Sequence, residues 1–302
     1  MAQPPSENVR SGVAHAIGAY LIWGFLPLYL LLVSEVPPLE FVGWRVVWTL
    51  PLCLLIVAFR RQWPNVRAAL GDWRSIVVLT GSAALIATNW LVYVWAVQQG
   101  EVLAASLGYY INPLFNVLLG TLLLREKLNR RQWSAVALAA AGVAILLAGG
   151  AITTLWISLA LALTFATYGL LRKRVAVGAL PGLTIESVLL LLPAVAIVLF
   201  HARMPAGPAF GQELGLSLAI ILGGVVTAAP LLLFAVAARR MDYSTLGFFQ
   251  FIAPTIVFIV GLTVFEQPLD PVQLASFILI WIASAVFMWD LLLRRSADQA
   301  PV

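Results

Sequence analysis

The side chains able to do chemistry in this chain stand inside long apolar runs. Arg45 lies within the run from Pro38 to Phe59, and Glu186 lies near the start of the run from Leu183 to Phe200. A charge at the centre of a hydrocarbon layer costs about 2.5–3.5 kcal/mol on insertion scales. Arg45 must therefore face protein or water, either as a structural group paired with Glu40 or a carbonyl or snorkelling outward, or as part of a polar path. Glu186 has two readings as well: a first-turn carboxylate favoured by the helix dipole, or, with Glu40, a coupling or gating group. Asn89 and Tyr93 share one helical face with Trp90 beside them. Ser106, Tyr109, Asn112, Asn116 and Gly120 fall within a helical stripe about 120° wide. Gly247, Gln250, Pro254 and Gly261 repeat the theme further along. Amides and small residues also hold helices together in lipid. Two polar faces, each with a central proline, are nevertheless suited to lining a cavity where freed backbone groups are tolerated. Trp23, Tyr93, Tyr109, Tyr110 and Tyr168 are candidate stacking surfaces for it.

Catalytic readings are weak. Asp72, Asp242, Asp270, Asp290 and Asp298 all fall in loops, the tail or inner helix ends, which leaves no acidic metal-diphosphate motif within a run. HExxH, GxSxG and Walker A patterns do not occur, and two histidines offer little acid–base chemistry. No cofactor, metal or catalytic residue is expected. The single cysteine, Cys53, lies in an apolar run and cannot form an internal disulfide.

The elements that carry these residues follow from composition. Of 302 residues, 62% are hydrophobic and 10% charged, too few charges to cover a water-soluble fold. A bilayer-crossing helix needs about 20 apolar residues, and ten such runs can be drawn: 12–33, 38–59, 75–97, 102–124, 132–149, 154–171, 183–200, 214–238, 243–265 and 271–293. With the N-terminus inside, 16 of the 18 Lys and Arg fall in inner segments; the exceptions are Arg203 and Arg45. That asymmetry predicts both termini in the cytoplasm. The charges sort by membrane side instead of forming one patch, so nucleic acid is not an expected partner.

The ten runs divide into two sets of five. Trp95, Ser106, Pro113, Glu126 and Gln132 are answered by Phe234, Thr245, Pro254, Glu266 and Gln273, at offsets of 139, 139, 141, 140 and 141. Five ordered landmarks at nearly one offset predict a duplicated half. Because five is odd, the second half enters the membrane inverted. The expected fold is an all-α integral membrane protein of ten transmembrane helices in two inverted-topology repeats, residues 1–149 and 150–302. Inverted repeats are a common construction of secondary transporters, with the substrate at mid-membrane between the halves.

Several stretches resemble one family: Trp23-Gly24, Asn89-Trp90, Trp95-Ala96-Val97, the run Ser106-Leu107-Gly108-Tyr109-Tyr110-Ile111-Asn112-Pro113-Leu114, Tyr168-Gly169-Leu170 with Arg172-Lys173, and Leu246-Gly247-Phe248-Phe249-Gln250. They are similar to the RarD-type permeases of the EamA family, in the drug/metabolite transporter superfamily. The resemblance implies a bacterial inner-membrane permease of two five-helix halves, and Asn89, Trp90, Asn112, Pro113 and Gln250 match its motif positions. Leu31, Trp44 and Ala104 depart from the pattern, where Lys, His and Glu are common, which bears on substrate charge and proton coupling.

Together these features predict an alternating-access permease for a small organic solute. Arg45, Asn89, Trp90, Tyr93, Tyr109, Asn112 and Asn116 form one wall of its cavity, and Tyr168 with Gln250 the other. Flipping of a lipid or lipid-linked carrier is the alternative on the same architecture. The expected partners are the solute and the bilayer; a coupling ion such as H+ and a monomeric or weakly dimeric state stay open.

Overall fold

The computed structural model describes residues 5–98, 102–148, 155–205, 207–264 and 271–298, and every regular element in them is a helix. In chain order these are α1 (Pro5–Gly24), α2 (Leu26–Leu30), a 3-10 turn (Leu31–Val33), α3 (Pro38–Phe59), α4 (Trp63–Gly71), α5 (Trp73–Gln98), α6 (Val102–Leu123) and α7 (Arg130–Ala148). The second part of the chain supplies α8 (Leu155–Arg174), α9 (Ala179–Ala202), α10 (Leu214–Arg240), α11 (Tyr243–Phe249), α12 (Ile252–Thr263) and α13 (Pro271–Asp298). Among the described residues six segments are long and apolar enough to cross a membrane: Ser11–Val33, Pro38–Phe59, Trp73–Ala96, Ala179–Ala202, Leu214–Arg240 and Tyr243–Val260. The repeat landmark Glu266 lies outside the described residues.

The helices depart from the simple runs where backbone chemistry intervenes. The α9 helix starts at Ala179, before Pro181 and Gly182, because a proline in the first turn loses no intrahelical bond. Asp72 starts α5: its carboxylate accepts the backbone N–H of Arg74 (3.2 Å) and Ser75 (3.3 Å) and the Ser75 hydroxyl (2.6 Å). These bonds, the Ser75 hydroxyl foremost, hold the Asp72 carboxyl below its ordinary range. The ninth run divides into α11 and α12 because Pro254 cannot donate to the Gln250 carbonyl, which takes the N–H of Ala253 (3.3 Å) instead.

In lipid an apolar side chain gains little by leaving hydrocarbon, so close packing of small residues holds helices together. Phe59, Leu192 and Leu214, at 80%, 80% and 76% exposure, can accordingly face outward without penalty. A Cβ on Gly224 would lie 2.6 Å from the backbone carbonyl of Trp48, so a glycine is what lets α10 press on α3. Likewise a Cβ on Gly247 would lie 2.9 Å from that of Asn116, where α11 crosses α6. An aromatic cluster of Tyr20, Phe165, Tyr168, Phe234 and Tyr243 fills the centre between α1, α8, α10 and α11.

One end of the bundle is cationic. Lys173 donates to the carbonyls of Ala238 (3.1 Å) and Met241 (2.6 Å), and Arg239 donates to that of Val175 (3.3 Å), each at a helix C-terminus, where positive charge is favoured. Glu126 does the converse at the same end. Its carboxylate accepts the N–H of Tyr243 (2.7 Å), the N–H of Ser244 (3.0 Å) and the Ser244 hydroxyl (2.8 Å) at the start of α11.

Candidate functional site

Arg45 is 5% exposed on α3. Its Nε donates to Thr227 Oγ1 on α10 at 2.8 Å, and Thr227 in turn donates to the Gly223 carbonyl at 2.6 Å. The guanidinium lies over the Trp90 ring, 4.8 Å from its centroid, with Phe41 at 5.7 Å. Tyr29, Tyr93 and Tyr109 stand within electrostatic reach, and the Tyr93 and Tyr109 rings meet edge to face at 5.5 Å. The pairing of Arg45 with Glu40, one of its structural readings, does not form. Glu40 Oε1 instead accepts Trp44 Nε1 (3.0 Å) and the backbone N–H of Ala209 (2.8 Å), tying the α9–α10 loop to the start of α3.

Glu186 is also buried, at 1% exposure. With α9 starting at Ala179 it stands two turns into the helix, and no acidic residue occupies the first turn, so the helix-dipole explanation fails. It accepts a hydrogen bond from Ser82 of α5 and faces Arg172 Nη1 of α8 at 3.7 Å. Arg172, 1% exposed, reaches over Gly182 to the carbonyls of Gly178 (3.4 Å) and Ala179 (2.9 Å). Sequence reasoning counted Arg172 among the inner-face charges and missed its burial.

A narrow crevice, with room for little more than a water molecule, runs between α3, α5 and α9, lined by Val46, Thr49, Ile86, Trp90, Leu183, Glu186, Ser187 and Leu190. Trp90 is common to this cleft and to the Arg45 niche.

The remaining candidates divide by what they touch. Asn89 donates to the Leu161 carbonyl and to Thr164 Oγ1, both at 2.9 Å, which makes it a tie between α5 and α8. Asn116 donates to Gln250 Oε1 at 3.0 Å, joining α6 to the break between α11 and α12. Asn112, wholly buried, has neither amide atom bonded. Tyr168, expected on a cavity wall with Gln250, is instead 1% exposed in the aromatic core and stacks on Phe234 at 6.2 Å. A ring that packs and a ring that lines a cavity look alike in sequence. Thr227 and Ser82, which hold the two buried charges, were missed because single hydroxyls in apolar runs carry no distinguishing pattern.

Comparison with known proteins decides the family. The EamA-like transporter family model matches residues 10–148. A Pseudomonas aeruginosa protein named as an uncharacterized transporter is 44% identical over 94% of this chain and 95% of its own length. The protein RarD of Salmonella typhi is 42% identical over 94% of this chain and 97% of its own. The chain belongs to the RarD-type group of the EamA family. It is a multi-pass membrane transporter. A solved crystal structure shares the fold at a TM-score of 0.70 with 20% identity, covering 92% of this chain and 97% of that one.

Proposed function

We propose that this RarD-type protein is a secondary permease for a small organic solute, working by alternating access from the bacterial inner membrane. Its ten spans form two inverted five-helix repeats, residues 1–149 and 150–302, with both termini and the cationic end of the bundle in the cytoplasm. Helix packing supports the repeat, because the most extensive helix contacts come in matched or self-matched pairs. The contact of α1 with α10 is matched by α5 with α8, that of α3 with α10 by α5 with α9, and that of α6 with α8 by α1 with α12. The pairs α3 with α9 and α7 with α13 are their own counterparts.

The observation that carries the reading is a buried charge at equivalent places in the two halves. Arg45 and Glu186 stand 141 positions apart, the step that also separates Pro113 from Pro254, and Trp90 and Glu186 line one cleft between helices of both halves. The cleft is narrow, as an occluded state requires, and other states must widen it. The unbonded amide of Asn112 agrees with that. A buried unsatisfied polar group costs about 1–3 kcal/mol, a cost that a rearrangement admitting water or solute at α6 removes.

Cysteine labelling tests alternation. Cys53 is replaced by Ser, Leu190 of the cleft becomes Cys, and an impermeant maleimide is applied to right-side-out and inverted vesicles. Labelling from both sides is the expected result. Labelling from one side alone under every solute condition, with intact fold, overturns alternating access.

A further inference from the structure

We infer that the niche around Arg45 is a subsite for a monocarboxylate, so that the transported solute is an organic acid whose single negative charge Arg45 receives; the inference rests on the permease reading.

Charge balance is the first argument. Of the two equivalent buried charges, Glu186 has its countercharge in Arg172. Arg45 has none: the nearest acid on its own helix, Glu40, is engaged by Trp44 and Ala209, and no carboxylate among the described residues forms an ion pair with the guanidinium. Leaving a buried charge without a partner is strongly unfavourable, and the missing group is one unit of negative charge.

Donor geometry is the second. Nε of Arg45 is used by Thr227, which leaves the Nη1/Nη2 edge of the fork with no hydrogen bond among the described residues. Nor do the phenols of Tyr93 and Tyr109 hydrogen-bond to any described residue. A planar fork with two phenol donors in its field matches the two oxygens of a carboxylate. One cation suits a monoanion better than a phosphate dianion, whose second charge would go unanswered. Trp90 and Phe41 lie against the guanidinium. These aromatic neighbours favour an acid with a hydrophobic body.

The test is thermal unfolding of the purified full-length protein in detergent with benzoate, an aliphatic monocarboxylate series, benzamide, sodium chloride and inorganic phosphate. Carboxylates should raise the midpoint, while benzamide, of the same shape without the charge, should not. Arg45→Gln should abolish the carboxylate shift while keeping the unliganded midpoint at or above that of the wild type. Should that variant not fold, the double variant Tyr93→Phe, Tyr109→Phe, which removes only two oxygens, should weaken carboxylate binding by about tenfold or more. Equal stabilisation by benzamide, equal stabilisation by chloride or phosphate, or no shift with any carboxylate would each overturn the assignment, leaving the permease reading intact. Conversely, carboxylate binding without movement of the bound acid into proteoliposomes would sink the permease reading and leave the subsite standing.

Discussion

Replacing Arg172 by Met tests whether the buried pair with Glu186 holds the bundle together. The substitution leaves a carboxylate that is 1% exposed with only Ser82 to answer it. Breaking a buried pair from one side costs about 3–5 kcal/mol, and the bonds to the Gly178 and Ala179 carbonyls are lost as well. At roughly 2–4 °C per kcal/mol for chains of a few hundred residues, the unfolding midpoint should fall on the order of 10 °C. Adding Glu186→Gln removes the stranded charge and should return about 1–3 kcal/mol, the coupling of directly interacting groups. Tryptophan fluorescence during heating, at one fixed scan rate, reads the four corners of the cycle. Additive losses, or an Arg172→Met midpoint equal to the wild type, would refute the view that these groups neutralise each other.

Other consequences can be checked in the same way. Gly224→Leu should separate α10 from α3 at the Trp48 carbonyl and destabilise the protein by several kcal/mol, seen as loss of monodisperse protein in detergent, whereas Gly71→Leu, with open space around it, should be tolerated. Glu126→Ala removes three hydrogen bonds from the start of α11 and should cost about 1–3 kcal/mol, with faster amide exchange at Tyr243 and Ser244 as the local signature. Asp72 has its folded-state pKa lowered by Ser75 and the Arg74 and Ser75 amides, so its contribution is present above the unfolded carboxyl pKa and lost as pH falls through the folded one. The stability gap between the wild type and Asp72→Ala should therefore shrink from neutral pH down through the carboxylate range, and a gap constant over that range would contradict the cap.

What the sequence disclosed and what it hid have physical causes. Apolar runs mark membrane helices because hydrocarbon is their solvent, and Arg45 and Glu186 stand out in those runs because charge is costly there. The partners of these charges are hidden, since Thr227 and Ser82 are ordinary hydroxyls and Arg172 ends a run where a basic residue reads as an inner-face anchor. The short helix α4 lies within what reads as a loop, because nine residues are too few to show as a span. Residue type places Asn89 and Tyr168 at the cavity, yet Asn89 ties α5 to α8 and Tyr168 packs in the core. Polar groups in lipid must bond somewhere, and only the three-dimensional packing says whether the partner is another helix or a solute.

The most direct test of the account is vectorial uptake in proteoliposomes of the carboxylate that stabilises the protein most, corrected for protein-free liposomes, in the wild type and in Arg45→Gln at equal amounts of folded protein. The account predicts saturable uptake by the wild type and at least about a tenfold loss in the variant. Uptake unchanged by the substitution, or no uptake by the wild type, would contradict it.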